Sequence, residues 1–207
     1  LQAWIMKKVF LIALALLSCV ENDKDTPTTN HTECEVSSTT IDVSNNRVSR
    51  GQVRLAGKWG EPPNIVVCDD AGITQYRLES AVRFWEQLGY KFGDLRMLER
   101  ADQCPQDWGT IVFRMPTQTE LTQSLGRSHL ATTKRYALKD SPDDLVLAEI
   151  YFVSSEMSKK KLIVEHEIGH ALGWLHSNKK RHIMYPKWIE SGTLSEGVLW
   201  EDYQSAF

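Results

Sequence analysis

His166-Glu167-Ile168-Gly169-His170-Ala171-Leu172-Gly173-Trp174-Leu175-His176 places three histidines and a glutamate at a spacing with a direct geometric reading. Histidines four residues apart share one face of a helix, so the imidazoles of His166 and His170 can reach the same ion. Glu167 is angled beside them, close enough to handle a water activated at that ion. Gly173 tolerates positive φ, so the backbone can leave helical geometry there and swing His176 in as a third ligand. Three protein ligands with an open fourth position describe a catalytic zinc site and not a structural one. The expected cofactor is therefore one catalytic Zn2+ on His166, His170 and His176, with Glu167 as general base. A lone histidine on an apolar helix face is usually a satisfied core residue. At this composition the five fixed letters arise by chance in only about a few chains per hundred thousand, so the metal reading outweighs the core reading.

Outward from this motif, Ser158 is expected to cap a helix through Lys159 to Leu172 that stops at Gly173. Three lysines in its first turn oppose the helix dipole. Upstream, Asn64 to Cys68 is a short β-branched run after Pro62-Pro63 and reads as a buried strand. Leu78, Ala81, Val82, Trp85 and Leu88 recur at helical spacing up to Gly89, and Trp85 is expected in the core. Thr110 to Met115 and Leu145 to Val153 read as further strands. Downstream, a last helical segment is expected from near Ser195-Glu196, carrying Leu199, Trp200, Tyr203 and Phe207. The order of strands and helices is an α/β or α+β pattern with a mixed sheet.

Eight residues after His176 comes Ile183-Met184-Tyr185-Pro186. With this turn, and with Ser177 following the third histidine, the chain resembles the metzincins and among them the matrixins. Astacins and serralysins carry a Tyr two residues after the Met, where this chain has Pro186. The resemblance implies an α+β metzincin-like catalytic domain over residues 51–207: a twisted mixed β-sheet, two long helices above the zinc cleft, and a small irregular lower subdomain with a C-terminal helix. It implies that Met184 forms the floor beneath the zinc. It also implies that the strand around Ala148 to Val153, with Ala148 and Ile150, is an exposed edge on which an extended peptide pairs. Pro186 and Trp188 would shape the pocket on the leaving-group side; for Trp188 the other reading is lower-subdomain core.

The chain also departs from the family. No Pro-Arg-Cys-Gly segment is present, so latency by a thiolate on the zinc is not indicated. The His- and Asp-rich loop that holds a structural zinc and calcium is not recognisable. His129, Asp143 and Asp144 are the candidates there and are expected at the surface, so no structural calcium or second zinc is indicated. The paired Asp residues that support the Met-turn are missing from the last helix; Glu201 or Asp202 are the possible replacements.

The N-terminus is a different material. Met6-Lys7-Lys8, an apolar run Val9 to Leu17, then Ser18-Cys19 read as a secretory signal, with Met6 the expected start. Leu16-Leu17-Ser18-Cys19 resembles the lipobox of bacterial lipoproteins, with Cys19 lipidated; a plain cleavable signal is the alternative. Residues 1–19 are thus a signal peptide with lipobox, and 20–50, rich in Asp, Asn, Thr and Ser, a disordered polar tether. The expected location is the cell envelope, outer membrane or periplasm-facing, otherwise secreted, with the membrane reached through the lipid anchor alone. Export permits one disulfide among Cys34, Cys68 and Cys104. Cys68–Cys104 is favoured because both lie in the folded part; three free thiols are the alternative.

The 207 residues, 42% hydrophobic and 25% charged, allow one domain with a real core. A net charge of −3 gives no reason to expect nucleic acid. Together these features predict a zinc-dependent endopeptidase acting on protein or peptide as a monomer. The alternatives are a zinc-fold lipoprotein that binds peptide without cleaving it, and a zinc hydrolase of a non-peptide amide.

Overall fold

A computed structural model describes residues 36–37, 53–68, 71–98, 104–105, 107–126 and 129–206. The expected signal segment with Cys19, and the tether apart from residues 36–37, lie outside the described residues. The architecture is that of the unit Thr32–Phe207. It is a mixed α/β domain. Its strands are β1 (Val36–Ser37), β2 (Lys58–Trp59), β3 (Asn64–Val67), β4 (Leu95–Met97), β5 (Thr110–Phe113), β6 (Ala131–Leu138) and β7 (Ser141–Phe152). Its helices are α1 (Gln75–Gln87), α2 (Gln118–Gly126), α3 (Ser155–Ser158), α4 (Ile163–Ala171) and α5 (Trp200–Ser205).

The sheet runs β1-β6-β7-β5-β3-β4, with β2 pairing β7 off that path. The pairs β3/β4, β3/β5, β5/β7 and β2/β7 are parallel, while β6/β7 and β1/β6 are antiparallel. Period-two alternation decides which residues face which layer. Ile65, Val67, Ile111, Phe113, Ala148, Ile150 and Phe152 point to the main core, where Leu78, Ala81 and Trp85 of α1 and Val164, Ile168 and Ala171 of α4 meet them. Cys68, Val112 and Leu147 point the other way into a smaller cluster. There Cys68 and Cys104 are joined by a disulfide, with their Cα atoms 5.4 Å apart.

α1 forms where its apolar spacing begins. Thr74 caps it by accepting from the Arg77 N–H at 3.3 Å, and the chain leaves it through Gly89 at φ 95°. Two contacts tie α1 to α4: the Trp85 indole donates to the Glu165 carbonyl at 2.8 Å, and Arg77 forms a two-pronged pair with the Glu165 carboxylate.

Three expectations are corrected here. The strand carrying Ala148 and Ile150 is not an edge: β7 lies between β5 and β6, and both residues are fully buried. On its outer side lies β6, whose sequence is too polar to read as a strand and which β1 borders at Arg135 and Tyr136. The helix of the zinc motif starts at Ile163 and not at Lys159, and Ser158 does not cap it. Lys159 to Lys161 turn instead, Leu162 adopts left-handed φ 65°, and the Ser158 hydroxyl turns to the carbonyls of Gly72 and Ser155 at 2.7 and 2.8 Å. The last helix starts at Trp200, and Phe207 lies outside the described residues. Within the segment read as a tether, Val36 and Ser37 pair with Tyr136 and Arg135 of β6. No helix among the described residues is long and apolar enough to cross a membrane.

Candidate metal centre

α4 carries His166 and His170 on one face, and Gly169 between them has a packing role. A Cβ there would stand 2.4 Å from Met184 Sδ and 2.7 Å from Trp85 Cζ2, so only glycine lets both side chains approach the helix so closely. After the helix, Gly173 turns at φ 107°, where a Cβ would stand 1.9 Å from the Gly57 carbonyl. The released segment is then clamped by the start of the domain. Ala56 N–H donates to Gly173 O and Leu175 N–H to Arg54 O, both at 2.9 Å. That clamp delivers His176 to the other two histidines.

The three imidazoles converge. His170 Nε2 lies 3.1 Å from His166 Nε2 and 3.1 Å from His176 Nε2. The Nδ1 atoms of His166 and His170 each face a carbonyl at 2.7 Å, those of Ile183 and Trp174. Each Nδ1 therefore carries the proton, and the Nε2 lone pairs point at one another. Lone pairs so placed repel unless a cation lies among them. Nitrogens about 2.0–2.1 Å from one tetrahedral ion lie roughly 3.3 Å apart, close to the spacing seen. Neutral imidazole is also a donor that suits zinc, so the residues fit the ion. Among the described residues these three form the one such cluster of ligand groups.

The electrostatics agree. Burial pushes the His166 imidazole down to about 4, and burial followed by the neighbouring His166 brings His176 to about 4. Burial and both neighbours hold His170 well below its ordinary value. The three imidazoles are thus neutral at neutral pH, the form in which they could hold a metal ion. Buried Arg135 donates to the His170 carbonyl at 3.3 Å and adds a positive charge that works in the same direction.

Glu167 is 7% exposed, and burial pushes its carboxyl up to about 7. The Thr133 hydroxyl on β6 opposes that shift by donating to Glu167 Oε2 at 2.6 Å. A cation among the imidazoles would favour the carboxylate further. Thr133 is a site residue that sequence reading missed; a threonine in a polar run carries no signal until the strand is known.

Met184 is fully buried. Its turn is supported from a second missed residue, His182, which is also fully buried. The His182 Nδ1 accepts from Met184 N–H at 3.0 Å, and its Nε2–H donates to the Glu196 carbonyl at 3.0 Å. Neither Glu201 nor Asp202 does this work: Asp202 accepts from Leu199 N–H at 2.9 Å and so caps α5. His129, Asp143 and Asp144 are exposed and join no metal cluster among the described residues.

Beside the N-terminal end of α4 is a cavity of about 430 Å³, with Leu162 and Trp188 on its walls. The Trp188 indole donates to the Lys161 carbonyl at 2.7 Å, and Pro186 is exposed nearby in sequence.

A family model described as matrixin, a peptidase family, matches residues 99–204. Searches of curated proteins and of solved structures found no match. The matched span runs from before β5 into α5, and includes the three histidines, the turn at Met184 and the strand beside Glu167. The chain therefore belongs to the matrixin family of metallopeptidases.

Proposed function

We propose that this chain is a zinc-dependent endopeptidase, with His166, His170 and His176 holding one zinc and Glu167 as general base. The observation that carries the reading is the convergence of three Nε2 atoms beside a buried carboxylate that the Thr133 hydroxyl holds. Held by His166, His170 and His176, zinc would supply Lewis acidity toward a water and the scissile carbonyl. Glu167 takes the water proton and delivers it to the leaving amine, an acid–base role commonly worth about 10²–10⁴-fold. Thr133 holds Glu167 Oε2, which leaves Oε1 to face the water. β6 supports the substrate role first assigned to Ala148 and Ile150. From Ala131 to Lys134 it has no strand on its outer side among the described residues, so an extended peptide can add there by main-chain pairing. Trp188 lines the cavity that would receive a side chain on the leaving-group side. Export, with Cys19 lipidated, is part of the same proposal and rests on the N-terminal pattern.

The test is turnover of a generic unfolded protein by the full-length chain. Activity lost to a chelator and restored by zinc supports the reading. Zinc-replete protein that binds the metal at one equivalent but cleaves nothing would overturn it.

A further inference from the structure

The cavity beside α4 has an unusual charge setting. Leu162, on its wall, accepts the His166 N–H at 3.0 Å, so the cavity stands one helical turn, about 5.4 Å along the axis, from a metal ligand. Two basic runs, Lys159 to Lys161 and Lys179 to Arg181, each end on a residue of its wall, Lys161 and Arg181. The nearby carboxylates are taken: Glu156 pairs with Lys159, Glu196 with Lys179 and Glu190 with Lys180. Lys160 sits over the Trp188 ring, 4.3 Å from its centre. Lys161 and Arg181 line the cavity and have no carboxylate partner among the described residues. Among the described residues no acidic side chain lines it, in a chain whose net charge is −3. The walls add an indole and the hydroxyls of Ser191 and Thr193.

The backbone points to the same place. Among the described residues two non-glycine positions have left-handed φ, Leu162 and Arg181, both at 65°, and both line this cavity. Strain of this kind persists where the surroundings enforce it and gathers at working sites. Here the enforcement is visible: Arg181 N–H donates to Glu190 O at 2.8 Å, and Leu194 N–H donates to Arg181 O at 3.0 Å. Gly192 packs so tightly that a Cβ would stand 2.4 Å from Arg181 O.

We propose that Lys161 and Arg181 make this cavity a recognition pocket for an acidic side chain flanking the scissile bond, a specificity that rests on the peptidase reading above. A Glu side chain lays its methylenes on Trp188 and brings its carboxylate to the two cations, Lys161 and Arg181. A Gln of the same shape gains no ion pair, and a Lys is repelled.

The experiment uses matched peptides with a single Glu, Gln or Lys at each of three positions on either side of one cleavable bond. Cleavage by the zinc-loaded full chain should favour Glu over Gln at one position by roughly three- to tenfold in kcat/KM, the size expected of two solvent-accessible ion pairs. The gap should narrow in about 0.5 M salt, because the Debye length there falls to a few ångströms. Lys161→Gln and Arg181→Asn should each shrink the gap; Asn is chosen because it tolerates the left-handed backbone. Equal cleavage of Glu and Gln peptides at every position overturns the pocket and leaves the peptidase standing. So does a gap that survives both substitutions. Anisotropy of the same labelled peptides on Glu167→Gln protein separates the two claims. Tighter binding of the Glu peptide that both pocket variants abolish supports the pocket even if no peptide is cleaved.

Discussion

Glu167 works with a partner that its own motif does not name. The Thr133 hydroxyl reaches it at 2.6 Å from a different element, 34 residues away in sequence. A hydroxyl that donates to a carboxylate stabilises the charged form, so removing it raises the carboxyl pKa. Glu167→Gln should therefore keep zinc and fold while losing about 10²–10⁴-fold in kcat, measured by single-turnover cleavage beside metal analysis. Retained activity would remove Glu167 from the reaction. Thr133→Val should move the acid limb of the kcat/KM profile to higher pH, because the base form is lost sooner on acidification. Thr133→Ser should move it back. An unmoved limb in Thr133→Val would reduce that contact to packing.

At the scale of elements, the legible parts were those with one-sided chemistry. β3, β5 and α1 show as apolar runs or helical spacing because each buries one kind of surface. β6 was missed because both its faces are partly polar. Thr133 and Arg135 face the metal helix, while Lys134 and Tyr136 face an ion cluster on the other side. In that cluster Arg114 pairs with Glu120 at 2.8 Å and with Glu149 at 2.7 Å, which fastens α2 to the sheet. A strand stabilised by polar pairs leaves no hydrophobic alternation to read. The start of α4 was misplaced for a related reason: Ser158 satisfied the pattern of a cap, but its hydroxyl found the carbonyl of Ser155 in its own turn and that of Gly72 from a distant loop. The histidine cluster was legible because a shared ion would constrain the spacing of its ligands directly; the support of the Met-turn by His182 was not, because a single histidine has no pattern. His182→Leu should leave the buried Met184 N–H without a partner, at a cost of about 1–3 kcal/mol, while the carbonyl of Glu196, an exposed residue, can turn to water. Gly173→Ala should cost about 1–3 kcal/mol in backbone strain alone and weaken zinc by displacing His176. Urea denaturation with zinc titration tests both, and parent-like midpoints with parent-like affinity would contradict the account.

For the whole molecule, the histidine cluster couples folding to pH. In the chelated protein His166 and His176 titrate at about 4, and His170 lies well below its ordinary value. Burial lowers His182 as well. In the unfolded chain these imidazoles titrate near 6.5. Between about pH 6.5 and 4 the unfolded state therefore holds protons that the folded state refuses, and stability rises with pH through that window. Glu167 acts with the opposite sign. Its folded value of about 7 means that the folded state holds an extra proton above the ordinary carboxyl range, so its contribution falls as pH rises from 4.5 toward 7. Four imidazoles outweigh one carboxyl, so the melting temperature of chelated protein should fall steadily on acidification from about pH 6.5 to 4. Zinc should raise it at neutral pH by mass action and lose that effect on acidification, as protons compete for the same Nε2 atoms. His166→Gln should flatten the chelated profile by removing one of the titrating groups. A flat profile in the chelated parent, or a His166→Gln slope as steep as the parent's, would show that the imidazoles are not held neutral by burial and that the site forms only around its metal.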